Sequence, residues 1–282
     1  MFPRTVVGGL SVSRMIIGTN WFLGYSHCTA AKDKYIKECI QDRKKMADIL
    51  EVFFRAGVDT VMGQITMPPL LDAIKEAEDR TGVKAIIVST PTYPVDERTP
   101  VDGLDHGAME KLMDEHARFG AHICMPHQCT TDSLVDRCSK TIRAIEPLLK
   151  MTRERGMIPG LSTHMPEAIV YADATGIDVE TYIAIYNSAG FLMQIEVDWV
   201  AKVIAEARKP VMTIKPLAAG QLRPFQGLTF VWNTIREQDM VTIGTMSPDE
   251  ASEVIEMSLS ILERRKSRQP LQETRSKASV RA

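Results

Sequence analysis

Asp59, His127, His164 and Lys215 are the side chains of this 282-residue chain best suited to chemistry, because each lies in or just beyond a short apolar run that gives way to a loop. Imidazole exchanges its proton near neutral pH, which makes His127 the chief candidate for general acid/base work. A lysine walled by apolar groups loses hydration and its pKa falls. Lys215 therefore reads either as a cation that stabilises a developing enolate or carboxylate, or as a Schiff-base amine. Asp59 would orient or charge-balance the site. His127, His164 and Asp59 together offer two imidazoles and a carboxylate, a set that suits zinc or another divalent first-row metal with a position left open. The spacing matches no recognised metal motif, and the simpler reading makes His127 a hydrogen-bonded substrate contact and His164 a loop residue. His122 and Cys124 do not extend the set, since alternate strand residues face opposite sides.

The elements that must hold these groups follow from eight apolar runs: 15–18, 58–62, 85–89, 123–125, 157–161, 182–186, 211–214 and 240–243. Just beyond them stand the polar residues Asn20, Gln64, Thr90, His127, His164, Asn187, Lys215 and Thr245. Helical spacing fills the gaps, as in 43–56, where Met46, Ile49, Leu50 and Phe53 share a face and Gly57 is placed to cap it. Further helices are expected over 68–80, 109–119, 133–155 with an interruption near Pro147, 166–174 and 199–207. The last helix starts after Ser247, with Glu250 completing a capping box. Strands alternating with helices must be parallel, and eight such units close into a single (β/α)8 TIM barrel of about 250 residues, whose chemistry sits at the carboxyl ends of the strands.

On that rule Asn20, Trp21, Gln64, His164 and Asn187 are expected to bind substrate. A hairpin over 5–13, turning at Gly8 and Gly9, is expected to plug the floor. The loop 90–107, rich in Pro, Asp and Gly, is expected to cover or shape the site. Residues 1–262 form the barrel domain. The basic tail 263–282 cannot bury an apolar face and is expected to be mobile or to pack on a second copy in a homo-oligomer.

A formal charge of −2 gives no overall pull toward nucleic acid, and no apolar run approaches the roughly 20 residues that span a bilayer. The first residues have no signal-peptide core, and five cysteines, an odd number in a chain with its own core, favour reduced thiols. A cytoplasmic enzyme acting on a small molecule is the expectation, with neither nucleic acid nor membrane as partner.

Six segments in order across residues 4–260 resemble the aldo/keto reductases. VVGGLSVSRMIIGTNWF is similar to that family's opening hairpin and first strand, and AGVDTV to its Asp-containing second strand. GLSTHMPEAI resembles the strand-five element, and Tyr186–Asn187 the strand-six element. KPLAAGQL and IGTMSPDEASEV resemble the loops after strands seven and eight. The resemblance implies a barrel, a nicotinamide cofactor, and a catalytic Asp, Tyr, Lys and His. The Asp falls on Asp59 and the His on His127, whereas Gln64 stands at the tyrosine's place and Pro91 at the lysine's. Neither can serve as a general acid or lower a donor's pKa. At the cofactor positions Thr163 and His164 follow the strand-five serine, Ile183 replaces the strand-six glutamine, and Lys215 the strand-seven serine. Gly220, Gly244 and Ser247 remain as places where backbone N–H groups meet a phosphate.

These departures argue against NAD(P)H. They favour lyase, isomerase or hydrolase chemistry on a small polar carbonyl or polyhydroxy substrate. Two rivals stay open: a nicotinamide oxidoreductase whose proton donor is Tyr25 or Tyr93, and a non-catalytic barrel used for binding or assembly, which the tail would serve.

Overall fold

The computed structural model describes residues 1–93, 95, 98–100, 104–270 and 274–281. An antiparallel hairpin, β1 (Arg4–Val7) and β2 (Leu10–Ser13), precedes the parallel strands β3 (Met15–Gly18), β4 (Thr60–Gly63), β5 (Ile86–Ser89) and β6 (Ile123–Cys124). A second small hairpin, β7 (Val135–Asp136) with β8 (Thr141–Ile142), lies apart from them. The parallel sheet continues through β9 (Ile158–Pro159), β10 (Leu161–Ser162), β11 (Tyr182–Ile185), β12 (Val211–Ile214) and β13 (Met240–Ile243).

The sheet order is β10-β11-β12-β13-β3-β4-β5-β6-β9. Because β9 and β10 are halves of one extended segment parted only by Gly160, the two ends of this order meet and eight walls close a barrel. Gly160 has no room for a side chain: a Cβ there would lie 2.7 Å from both the Thr181 carbonyl oxygen and the Met125 sulfur.

Period-two alternation builds two apolar layers. Ile16, Met62, Val88, Ile123, Met212 and Met240 pack inside the barrel, and Val7 and Val12 of the hairpin join them, plugging the floor as expected. Their strand neighbours Ile17, Val61, Ile87, Cys124, Val211 and Val241 point outward into the layer under the helices. That outer layer is covered by α1 (Asn20–Leu23), α2 (Ala30–Ile40), α3 (Arg43–Arg55), α4 (Pro68–Thr81), α5 (His106–Arg118), α6 (Gln128–Leu134), α7 (Ile145–Glu154), α8 (Pro166–Thr175), α9 (Val197–Glu206), α10 (Pro224–Thr234) and α11 (Pro248–Leu262).

The helix expected over 133–155 is instead α6, the β7–β8 hairpin and α7. Asp136 causes the break, because its carboxylate accepts from the backbone N–H groups of Cys138 and Ser139 and from the Ser139 hydroxyl, which fixes a turn where a helix would need those amides. The tail begins folded back on α11, since Arg265 pairs with Glu256 at 2.7 Å and the Arg268 N–H donates to the same carboxylate. It ends in a short helix, α12 (Arg275–Ala278). Part of the expected covering loop, residues 94, 96–97 and 101–103, lies outside the described residues. No described helix is long and apolar enough to cross a membrane.

Candidate active site at the barrel mouth

A cavity of about 960 Å³ opens at the carboxyl ends of the strands. Of the eight expected rim residues, seven line it, among them Asn20, Gln64, His127, His164 and Lys215, and Trp21 lines it as well. Asn187 is the exception. It is fully buried, its Oδ1 accepting from the Phe191 N–H at 2.9 Å and its Nδ2 donating to the Phe191 carbonyl at 3.1 Å, so it shapes the loop after β11 rather than facing the cavity.

Lys215 follows β12 in a left-handed conformation, φ 60°. Its Nζ lies 3.4 Å from His27 Nε2, which is also 2.7 Å from the amide nitrogen of Asn20. Two donors converge on one ring nitrogen, so His27 sits here as a neutral imidazole. Burial pushes the Lys215 amine down to about 8. It also lowers His27 and His127, with the charge of Lys215 adding to the effect. His164 is driven furthest, to about 3, by burial first and then by Lys215, His127 and His27. The mouth therefore sets three neutral imidazoles around the Lys215 amine.

His127 caps the amino terminus of α6, its Nδ1 accepting from the Cys129 N–H at 3.3 Å. On that pattern its Nε2 carries the proton. The bond is long, and exchanging tautomers forfeits only about 0.5–1 kcal/mol. His164 is held through its backbone, whose N–H donates to Asp132 of α6 at 3.1 Å, while the Thr163 hydroxyl donates to the same carboxylate. Burial raises Asp132 to about 6. Asp132 is a positioning residue that was not singled out from the sequence. Only the fold reveals that α6 turns a carboxylate toward the loop after β10, and that His27, in a left-handed loop at φ 59°, comes back over the mouth.

Asp59 does not stand at the rim as expected. It directly precedes Thr60, the first residue of β4, and so lies at the opposite end of the barrel, where it pairs with Arg4 of the floor hairpin at 2.8 Å and is 14% exposed. The set His127, His164 and Asp59 is thus split between the two ends, and no three His, Cys, Asp or Glu side chains are disposed to hold a metal among the described residues. Asp59→Asn should lower stability by no more than about 1 kcal/mol, as for other partly exposed ion pairs, and leave mouth chemistry unchanged. Urea unfolding and an activity assay of that variant check both.

The weaker cofactor candidates divide. A Cβ on Gly244 would lie 2.3 Å from Trp21 Cδ1, so the indole already covers that backbone. Ser247 spends its hydroxyl on the Glu250 N–H, and Glu250 answers by accepting from the Met246 N–H at 2.7 Å, closing the helix terminus on itself. Gly220 alone is open, with nothing near its Cβ position. Of the two tyrosines considered as donors, Tyr25 lines the cavity, whereas Tyr93 does not; it is 2% exposed with an unpartnered hydroxyl.

No family model matches the sequence, and no curated protein matches it. Solved structures do. A Pseudomonas aeruginosa protein assigned to the aldo-keto reductases superimposes with a TM-score of 0.64 over 92% of this chain and 95% of its own, at 16% identity. An aldo/keto reductase from Brucella melitensis gives 0.55 over 93% and 98%, at 10% identity. A truncated 3-deoxy-D-arabino-heptulosonate 7-phosphate synthase from Thermotoga maritima gives 0.54 over 93% and 92%, at 11% identity. At these identities the likeness is one of fold.

Proposed function

From a barrel built as the aldo/keto reductases are, we propose an enzyme of different chemistry: acid/base catalysis of lyase, isomerase or hydrolase type on a small polar carbonyl or polyhydroxy substrate. The observation that carries this reading is the ring of neutral imidazoles about Lys215, in a barrel with Gln64 and Pro91 where a tyrosine–lysine pair would be needed. His127 exchanges a proton with substrate through Nε2. The Lys215 ammonium holds the negative charge that develops on oxygen, and a preorganised donor in a partly dry site is worth far more than one in water. Gln64, whose Nε2 donates to the Thr92 hydroxyl at 3.2 Å, binds substrate together with Asn20, Trp21 and His164. Asp59 has no part in it.

The test is solvent exchange. With hydroxy-aldehydes, hydroxy-ketones and 2-keto acids in D2O and no nucleotide added, proton NMR should record deuterium entering the carbon beside the carbonyl. On the acid side the rate should fall only below the ordinary histidine pKa of 6.5, because His127 is lowered, and on the alkaline side it should fall as Lys215 loses its proton near 8. Absence of exchange, together with tight NADPH or NADH binding and substrate-dependent oxidation, would replace this reading with a reductase using Tyr25.

A further inference from the structure

Lys215 carries the mouth's unanswered charge. Among the described residues no carboxylate pairs with it, and its Nζ has His27 Nε2 as a polar neighbour. The other ionisable groups around it do not supply an anion. His127 and His164 are neutral there. Lys32 and Arg223 also line the cavity and add positive charge. Glu250 is committed to the Met246 N–H, and Asp33 is turned to the backbone and hydroxyl of Ser26 at 2.8 and 2.5 Å. Glu253 lines the cavity without reaching Lys215. A partly buried cation with no partner is costly unless something else brings the counter-charge.

Two further features converge on the same cavity. Thr19, Thr242 and Thr245 line it, are at least nine-tenths buried, and have hydroxyls with no hydrogen-bond partner. Orphaned buried hydroxyls are uncommon and call for a partner. Moreover, Lys215, Ala218 and Ala219 all hold left-handed backbone, at φ 60°, 48° and 55°. Such strain persists in non-glycine residues where the surroundings enforce it, and it clusters at ligand clamps. The Cys28 thiol braces this loop by donating to the Ala219 carbonyl at 3.3 Å.

We propose that Lys215, with His27 beside it, seats an oxyanion of the substrate, a carboxylate or a phosphate ester, carried on a polyhydroxylated chain that lies along the wall lined by Asn20, Gln64 and the three threonines. This names the substrate class of the mouth and rests on reading that mouth as the reaction site. An arriving oxyanion takes up the charge of Lys215 and accepts from its N–H groups. His27 is then free to bond through whichever ring nitrogen the ligand leaves it.

The experiment titrates the full-length protein by calorimetry at pH 7 with D-gluconate, D-glucose 6-phosphate and the neutral D-glucitol, following the six histidines by NMR. At least one of the two anions should bind roughly 10- to 100-fold tighter than glucitol, the range expected for a charge-assisted hydrogen bond, and whichever anion prevails identifies the source of the oxyanion. Lys215→Met should remove that advantage and leave glucitol binding unchanged, while Lys215→Arg should keep most of it. Binding should weaken between about pH 7 and pH 9 as the amine deprotonates. Glucitol binding as tightly as both anions, undiminished anion binding by Lys215→Met, or no anion binding at about 20 mM would each overturn the proposal. So would a mass increase at Lys215 after borohydride treatment with a keto acid, which assigns the amine a covalent role. Anion binding without any solvent exchange would instead defeat the acid/base reading and leave the oxyanion seat standing.

Discussion

Replacing Lys215 with methionine should make the protein more stable at pH 7, not less. Folding lowers the amine from 10.5 to about 8, so the unfolded chain binds that proton more tightly than the folded one. Stability therefore rises with pH between about 8 and 10.5, and below that window the folded state carries the whole penalty, about 1–3 kcal/mol once partial solvent contact is allowed for. Methionine keeps the stem and discards the charge. Lys215→Gly would also relieve the left-handed backbone, worth about 1 kcal/mol more, at the expense of that packing. Urea unfolding at pH 7 and at pH 10.5 checks the account: the methionine variant's advantage should be clear at the first and largely gone at the second. An advantage equal at both, or a loss at pH 7, would mean that desolvation is not what holds the amine down. Loss of ligand binding alongside a gain in stability is the trade expected of a residue kept for function.

The second large effect concerns His127. His127→Ala should slow turnover by about 10²–10⁴-fold, the usual contribution of a positioned acid/base, with KM changed far less. The ring also caps α6, so alanine removes a helix contact worth about 0.5–2 kcal/mol. His127→Asn separates the two roles, since an amide oxygen can accept from the Cys129 N–H but cannot carry a proton to substrate. Asparagine should recover thermal stability and remain as inactive as alanine. If asparagine restores activity, His127 serves only to hold the helix.

The strands were legible because their inward and outward residues are both apolar over short, bounded runs: 15–18, 211–214 and 240–243 are the observed β3, β12 and β13. The ring of polar strand ends was legible for the same reason, and seven of its eight members reach the cavity. What escaped has local causes. Asp136 captures the amides of its own turn, which a pattern of apolar positions does not register. Neither α2 nor α10 was anticipated; the segment PFQGLTFVWNT of α10 has no charged face to set against its apolar one. Asp59 matched a motif, but a motif does not say at which end of a strand its residue stands, and one position before Thr60 is the floor. The meeting of His27 with Lys215 depended on a loop conformation that few non-glycine residues adopt.

The fifth wall of the barrel, split at Gly160, is paired by only two residues to β6 on one side and two to β11 on the other. His127 follows β6 and His164 follows β10, so the two imidazoles stand on either bank of a joint built from two-residue strands. Elsewhere on the rim a side chain inherits the stiffness of a four-residue strand; here the gap between neighbours can widen or narrow at small expense. A substrate of variable length would find the compliance it needs at that joint, with Asp132 as the tether that keeps the two banks within reach of each other.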